Sequence, residues 1–527
     1  MPLESVLAID TGTQTTRAAL VSPDGSILDM ASSPLSMSTP RPGWAEQEPE
    51  RWWSATVDNV SAVMSRNPGT AVAAVAACGQ MHGVVALDKA GRPLAPRVGI
   101  WCDKRAEGQV ARFLARPDAR RLSALAANVP LPAWAGFKIA WYCEEEPDLY
   151  EQAKSFLVVK DFLNLRLCGE RATDPTEASG TFLVDAGSGR WSPELIDALG
   201  LDENLLPPIA GSGTVIGGIL PEVAAATGLR AGTPVVAGAG DMLCQLYGVG
   251  LSRPGRLAEV AGTASIVAAY SEQADLDDRV MSLRTVTGGW VNFGITDGAG
   301  ACMNWLAQLL SGRGGTIAAP EAGVRYYTRH EQAPHGSTGD VHPGHRYGSH
   351  YASIDTVAAT APAGADGLLF FPYVLGERTL GSTGSRASFI GLTLTHDHAH
   401  MARAVMEGIC FENRRALDLL ARPTDGTVLR CTGGGSRSAL WNQLRADIYE
   451  RPVRSFATVE GGVHGAAMLA AVGAGWYAST AEAGDNLVTP GADWRPRPST
   501  TETYRACYES FRAVHDALDG QWEHWAR

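Results

Sequence analysis

Three short stretches of the chain carry residues whose types and spacing could do chemistry together. The first, VLAIDTGTQTTRAAL, places the carboxylate of Asp10 at the mouth of an apolar run and follows it with a glycine and several hydroxyls. The second, VVAGAGDMLCQLYGVG from Val235 to Gly250, runs an apolar segment into a Gly-Ala-Gly turn and stands Asp241 where a helix should begin. Backbone groups on such a turn hold a side chain rigidly towards a cleft, which suits a catalytic carboxylate. Helix N-capping by Asp241 is the alternative that needs no function. The third, TGGGSRSALWNQLRADIYERP from Thr432 to Pro452, sets three glycines ahead of a helix, where a flat ligand can approach the backbone. Two other chemistries are excluded. Gly238-x-Gly240 lacks the third glycine of a dinucleotide fingerprint, and no Gly-Lys dipeptide occurs for a Walker-type phosphate loop.

The elements that must position these residues are legible in the same stretches. Val6 to Ile9 is apolar, Asp10-Thr11-Gly12-Thr13 has turn chemistry, Arg17 to Val21 is apolar again and Pro23-Asp24-Gly25 is a second turn, which predicts a β-meander. Ala71 to Cys78 and Pro234 to Ala237 read as further strands, and Pro49 to Met64 as an amphipathic helix, so the first half is α/β. RLAEVAGTASIVAAY, from Arg256 to Tyr270, repeats the opening logic of strand, Gly262-Thr263 turn, strand. The recurrence suggests a duplicated architecture whose two Gly-Thr turns face each other across a cleft. Chance repetition of a common turn dipeptide is the other reading.

Composition bounds the rest. A chain of 527 residues exceeds what one core usually supports, and two domains of about 250 residues are expected. With 45% hydrophobic and 19% charged residues it reads as a soluble globular protein, and a net charge of -12 argues against nucleic acid or an anionic membrane as partner. Nine dispersed cysteines without a C-x-x-C pair suit reduced thiols, no basic-then-apolar leader precedes the first strand, and no apolar run has the length of a membrane helix; a cytoplasmic location is expected. Residues 313–351 are rich in Gly, Pro and His. HEQAPH there separates His330 from His335 by five positions with Pro334 between, whereas a zinc helix needs a spacing of four, so a surface loop or oligomer contact is the reading.

The ordered motifs LAIDTGTQTTRAAL, PGWAEQEPERWW, CGQMHGVVALD, GIWCDKRAE, ATDPTEASGTFLVD, EVAGTAS, FPYVLGERT and GVHGAAMLAAVGAG resemble the FGGY carbohydrate kinases over nearly the whole chain, and within them the branch that phosphorylates D-xylulose. The resemblance implies two ribonuclease H-like domains of actin/hexokinase type, 1–252 mainly for the sugar and 253–527 for ATP, with the active site in the cleft between them and a homodimer left open. It implies Asp241 as general base for transfer from ATP, and Asp10 as the residue that positions Mg2+, through water. Thr13, Thr15 and Arg17 would lie along the phosphates, with Gly262 and Thr263 as the facing turn. Gly434 and Gly435 would sit under adenine and ribose, with Gly300 and Asn304 in the nucleotide pocket. Met81, His82, Asp103 and Trp134 fall where relatives line the sugar pocket. D-xylulose going to D-xylulose 5-phosphate is the expected reaction.

Several departures from the family pattern bear on the substrate. Met242 follows the aspartate where relatives carry Asn or Gln, Cys102 stands where Asn is common, and Gly376 to Leu380 reads Gly-Glu-Arg-Thr-Leu instead of ending in Pro. Loss of an amide at 242 should weaken discrimination for one hydroxyl. A kinase for another ketose, a deoxyketose or an alditol is therefore the alternative, followed by a nucleotide-gated sugar-binding regulator.

Overall fold

The structure, a computed structural model, describes residues 4–262, 264–310, 349–374, 376, 384–420, 427–456 and 460–525. Val6, Leu7, Ala8 and Ile9 are all buried, so the first strand is covered on both faces and reads as a continuous apolar run. It extends over Glu4–Thr11 and pairs antiparallel with Thr15–Val21, which pairs antiparallel with Ile27–Pro34; this is the expected meander. On its other side Glu4–Thr11 lies parallel to Ala71–Gly79, which lies parallel to Pro234–Gly240, and Val215–Gly218 closes that edge antiparallel.

The second sheet repeats this order. Leu257–Ala261, Ser265–Ser271 and Trp290–Thr296 form an antiparallel meander, with Met281–Arg284 at its edge. Leu257–Ala261 then pairs parallel with Leu429–Thr432, and that strand with Val453–Phe456, before Pro490–Trp494 closes antiparallel. The recurrence of Gly-Thr turns thus reflects a repeated topology, each turn joining the first two strands of its meander.

One face of the first sheet packs Leu7 and Ile9 against Trp52, Ala55, Val60 and Val63 of the helix Pro49–Arg66, and against Phe162 and Leu163. That helix begins with Pro49 at its first position and Glu50 in its first turn, and ends with Arg66, in keeping with its dipole. The opposite face, carrying Val6, Ala8, Ala74, Ala76 and Cys78, is covered by a helix from the far end of the chain, Gly461–Gly473, with Val463, Ala466, Ala467 and Ala470 against it. Small residues let this helix lie directly on Asp241–Gly248: a Cβ on Gly465 would meet the Cys244 carbonyl oxygen at 2.1 Å, and one on Gly248 the Gly461 oxygen at 2.5 Å.

Two expectations meet the structure only in part. Residues 313–348 of the His-rich stretch lie outside the described residues, and its last three belong to the helix Ser349–Ala358, where Ile354 and Ala358, one turn apart, are buried. Of Gly376 to Leu380 only Gly376 is described. No described helix is long and apolar enough to cross a membrane.

Because the two helices meet backbone to backbone, Gly465→Ala should destabilise the protein by about 2 kcal/mol or more, read as a lower melting temperature in thermal denaturation.

Candidate active site

Asp10 occupies the penultimate position of the first strand, where the ladders set it opposite Arg17 on one side and Cys78 on the other. Its carboxylate accepts from Arg17 Nη1 at 3.1 Å and from the Cys78 thiol at 3.4 Å. Arg17 Nη1 also lies 3.6 Å from Glu460 Oε2, immediately ahead of the helix Gly461–Gly473. A Cβ on Gly462 would come within 3.0 Å of Asp10 Oδ2, so the second half of the chain closes directly over this carboxylate. Burial raises the Asp10 pKa above its ordinary value, and the Arg17 charge opposes the rise.

Asp241 is the first residue of the helix Asp241–Gly248. The N-cap position belongs to Gly240, so Asp241 stands one residue inside the helix instead of at its cap. Its Oδ1 accepts from the next amide, Met242 N, at 2.7 Å. The residue keeps some solvent exposure although it lies deep in the protein. Burial, with the Asp10 charge adding to it, pushes its carboxyl up to about 7. The two acidic residues singled out in the sequence are therefore electrostatic neighbours, with the free thiols of Cys78 and Cys244 hydrogen-bonded beside them.

The turn after Ala71–Gly79 carries Gln80, Met81 and His82. Met81 is buried against Gly240, where a Cβ would meet its side chain at 2.7 Å, so this turn abuts the segment that presents Asp241. His82 has a positive φ of 68°, held from three sides: Nδ1 bonds the Gly180 carbonyl at 3.0 Å, Lys138 Nζ donates to its backbone oxygen at 3.2 Å, and Trp134 meets its ring edge-on at 5.0 Å. Burial brings the Lys138 pKa down to about 7.

Trp134 is itself buried and donates to the Val129 carbonyl at 2.8 Å, so what it offers the His82 side is a supporting ring. Asp103 departs from the expectation of a sugar contact. Its side chain is sealed, and its oxygens already accept from the Ala45 amide at 2.7 Å and from Arg105 N, Nε and Nη2 at 3.0, 2.8 and 2.9 Å. Four N–H donors fill a carboxylate's acceptor sites.

Two residues that the sequence reading passed over tie the first Gly-Thr turn to the His82 turn. Gln47 donates to the Thr13 carbonyl at 2.7 Å and accepts from Gln80 Nε2 at 2.6 Å and Trp52 Nε1 at 3.0 Å. Trp101 Nε1 donates to Thr13 Oγ1 at 2.9 Å. Both lie within motifs quoted above, but their partners are far away in sequence. Thr15 is half-buried at the start of its strand.

In the second half Gly262 forms an exposed turn through its amide bond to the Ala264 carbonyl at 3.0 Å, and Thr263 lies outside the described residues. The glycine-rich turn packs beside it: a Cβ on Gly433 would approach the Ala261 oxygen to 2.6 Å. Gly434 is open, with nothing within 4 Å of a Cβ position, whereas Gly435 is buried and a Cβ there would be 2.9 Å from that of Ala261. Gly300 and Asn304 lie one turn apart on the helix Ala299–Leu310, half-exposed and exposed. Among the described residues no group of three or more His, Cys, Asp or Glu side chains could hold a metal ion on its own.

Duplicated meanders, each with a Gly-Thr turn, and a buried carboxylate pair beside a polar turn describe a sugar kinase of mixed α/β, actin/hexokinase-like fold. The chain belongs to the FGGY family of carbohydrate kinases: residues 5–248 match its N-terminal domain and residues 257–474 its C-terminal domain. It is 28% identical to the xylulose kinase of Bacillus subtilis (strain 168) over 521 residues, 97% of each chain. It is 26% identical to the gluconokinase of the same organism over 524 residues, 98% of this chain and 96% of the other. The crystal structure of xylulose kinase from Rhodospirillum rubrum superposes with a TM-score of 0.85 at 28% identity, covering 98% of this chain and all of that one (100%).

The Asp241 environment has a consequence for stability. A carboxyl whose folded pKa is raised from 3.8 to about 7 holds its proton more tightly in the folded state, so stability is lost as pH rises between those values. Asp241→Asn removes that loss. The variant should be more stable than the wild type above pH 7, by on the order of 2 kcal/mol, and so melt higher, with the gap closing towards pH 4 in parallel thermal melts.

Proposed function

We propose that this carbohydrate kinase transfers the γ-phosphoryl group of ATP to a ketopentose, D-xylulose first, giving D-xylulose 5-phosphate. The observation that carries the reading is the Asp241 carboxylate, titrating near 7 beside the Met81-His82 turn and the Asp10 charge. A base of that strength is balanced between holding and accepting a proton at neutral pH.

In this reading Asp241 accepts the proton of the attacking sugar hydroxyl as its oxygen bonds to the γ-phosphorus and the bond to ADP breaks. His82, fixed through Nδ1 to Gly180, contacts the sugar from one side, with Met81 as apolar floor. Thr13, Thr15 and Arg17 line the phosphates from one side and Gly262 with Thr263 from the other, as donors in place of the absent P-loop lysine. Open Gly434 receives the flat base and ribose, while Gly435 keeps the turn packed on Ala261. Gly300 and Asn304 border that pocket.

Magnesium carried by the nucleotide suits the donor set: Asp10 offers one carboxylate in a site crowded with negative charge and would help hold the ion, through water, together with phosphate oxygens. Bound there, the ion would neutralise charge on the transferring phosphates. Asp103 enters as a brace for Ala45 and Arg105 and not as a ligand to sugar. Nine free thiols support a reducing cytoplasm as the working compartment.

A second reading, a kinase for another ketose, a deoxyketose, an alditol or an aldonate, is favoured by Met242. That side chain packs on an apolar cluster and offers no amide to a hydroxyl beside Asp241.

Three measurements test these readings. ADP release with MgATP over ketopentoses, ketohexoses, deoxyketoses, alditols and gluconate should give the highest kcat/KM for D-xylulose; another winner transfers the assignment to the second reading. Asp241→Asn should lower kcat by about 1,000-fold or more while the protein stays folded, and near-normal turnover would refute the base assignment. Since only ionised Asp241 can accept a proton, kcat/KM for the sugar should rise with pH through about 7 and then level, as followed in a pH-rate profile.

A further inference from the structure

Asp241 depends for its direction on a stretch of backbone that is not an ordinary strand. The pairing of Pro234–Gly240 with Ala71–Gly79 slips register between Val236 and Ala239. Gly238 sits there at φ 74°, so close to the neighbouring strand that a Cβ would fall 1.9 Å from the Ala77 oxygen. A bulge of this kind re-aims the residue that follows it, but it also takes amides out of the ladder and leaves them to be held by something else.

What holds them converges on one buried group. The Gly240 amide donates to Thr176 Oγ1 at 2.9 Å, and Thr176 Oγ1 donates to Asp174 Oδ1 at 3.0 Å. The Gly238 amide donates to the Ser212 carbonyl at 3.0 Å, and Ser212 Oγ donates to Asp174 Oδ2 at 2.6 Å. Both ends of the bulge are thus tied, each through one intermediate residue, to the two oxygens of Asp174. The Thr176 hydroxyl has a single proton. Given to Asp174, it leaves the oxygen's lone pairs facing the Gly240 amide, so the carboxylate also sets the sense of that bond.

Asp174 is sealed from solvent beside the equally buried Lys160, whose Nζ lies 3.2 Å from Oδ1. Lys160 is also paired with Asp161. Glu177, on the same short helix Pro175–Ser179, is buried without a hydrogen-bond partner on either oxygen, and burial together with Asp161 and Asp174 keeps its pKa well above the ordinary range.

We propose that Asp174 and Thr176 are positioning residues that act through the Gly240 amide to hold the Asp241 carboxylate in line with the attacking hydroxyl. The inference rests on the reading of Asp241 as general base. Asp241 has little else to steady it, its bond to the adjacent Met242 amide being local to the same turn. Small displacements of a reacting group cost rate more than they cost binding.

Thr176→Val keeps the shape of the side chain and removes the acceptor; Thr176→Ser keeps the oxygen. The purified full-length enzyme and both variants are assayed with MgATP and the best acceptor of the panel, with Asp241→Asn alongside. Thr176→Val should lower kcat per folded enzyme by about 10- to 100-fold while KM for ATP stays within about twofold, and Thr176→Ser should restore most of the loss. Ser212→Ala, a milder change at the other end of the bulge, should move kcat in the same direction and serves if the valine variant does not fold. A purely structural role predicts lower melting temperatures with kcat per folded enzyme unchanged, and that result overturns the inference. So does equal loss in the valine and serine variants, or normal kcat in Ser212→Ala if it must stand alone. If Asp241→Asn is itself active, the base assignment fails instead.

Discussion

Two carboxylates held close together in a buried place repel each other, and the rest of the site can be understood as the means of keeping them there. Asp10 and Asp241 come from strands separated by one other, Ala71–Gly79, and each ends a segment whose side chains are buried on both faces. Neither can swing away without leaving that packing. Arg17 compensates one of them, while Asp241 is left with a backbone amide and its raised affinity for a proton. For the base role proposed for Asp241, an acid group of ordinary strength would accept a proton from a sugar hydroxyl less readily, so in that reading the destabilising repulsion and the usefulness of the residue have the same origin.

The repeated sheet explains how a chain without a P-loop lysine presents two sets of donors. Each meander follows its first strand with a turn entered at a glycine, Gly12 or Gly262, and the parallel strands beside it deliver a second loop to the same edge: the Gln80-Met81-His82 turn in the first half and the glycine-rich turn in the second. Polar side chains then lock neighbouring loops together. Gln47, Gln80 and Trp101 do so around Thr13. In the second half Arg445 joins Glu259, on the strand entering the Gly262 turn, to the Gly435 carbonyl, with bonds of 2.8 and 3.2 Å. A buried ion pair here fixes the spacing of two loops as well as contributing to the core.

Local patterns were legible in the sequence, and long-range ones were not. Strand, turn and helix around Asp10, Asp241 and Gly433 could be read because apolar runs and glycines report directly on backbone geometry. The capping alternative for Asp241 could not be settled that way, since one position separates a cap from a first helical residue. Asp103 shows a second limit: an acidic residue beside a tryptophan looks the same whether its oxygens face a ligand or, as here, are saturated by Arg105 and the Ala45 amide. Gln47, Trp101, Asp174 and Thr176 were invisible as parts of the site because each acts through a partner remote in the chain.

The helix Gly461–Gly473 lies at the far end of the sequence yet forms one face of the core that begins at Val6. During synthesis the first sheet therefore emerges with Val6, Ala8, Ala74, Ala76 and Cys78 uncovered, and it stays so until nearly the whole chain has left the ribosome. The amino-terminal half cannot finish folding as an independent unit, and a truncated product would expose an apolar sheet face. The helix that closes over Asp10 is also the one that closes this face, so an unfinished chain lacks both.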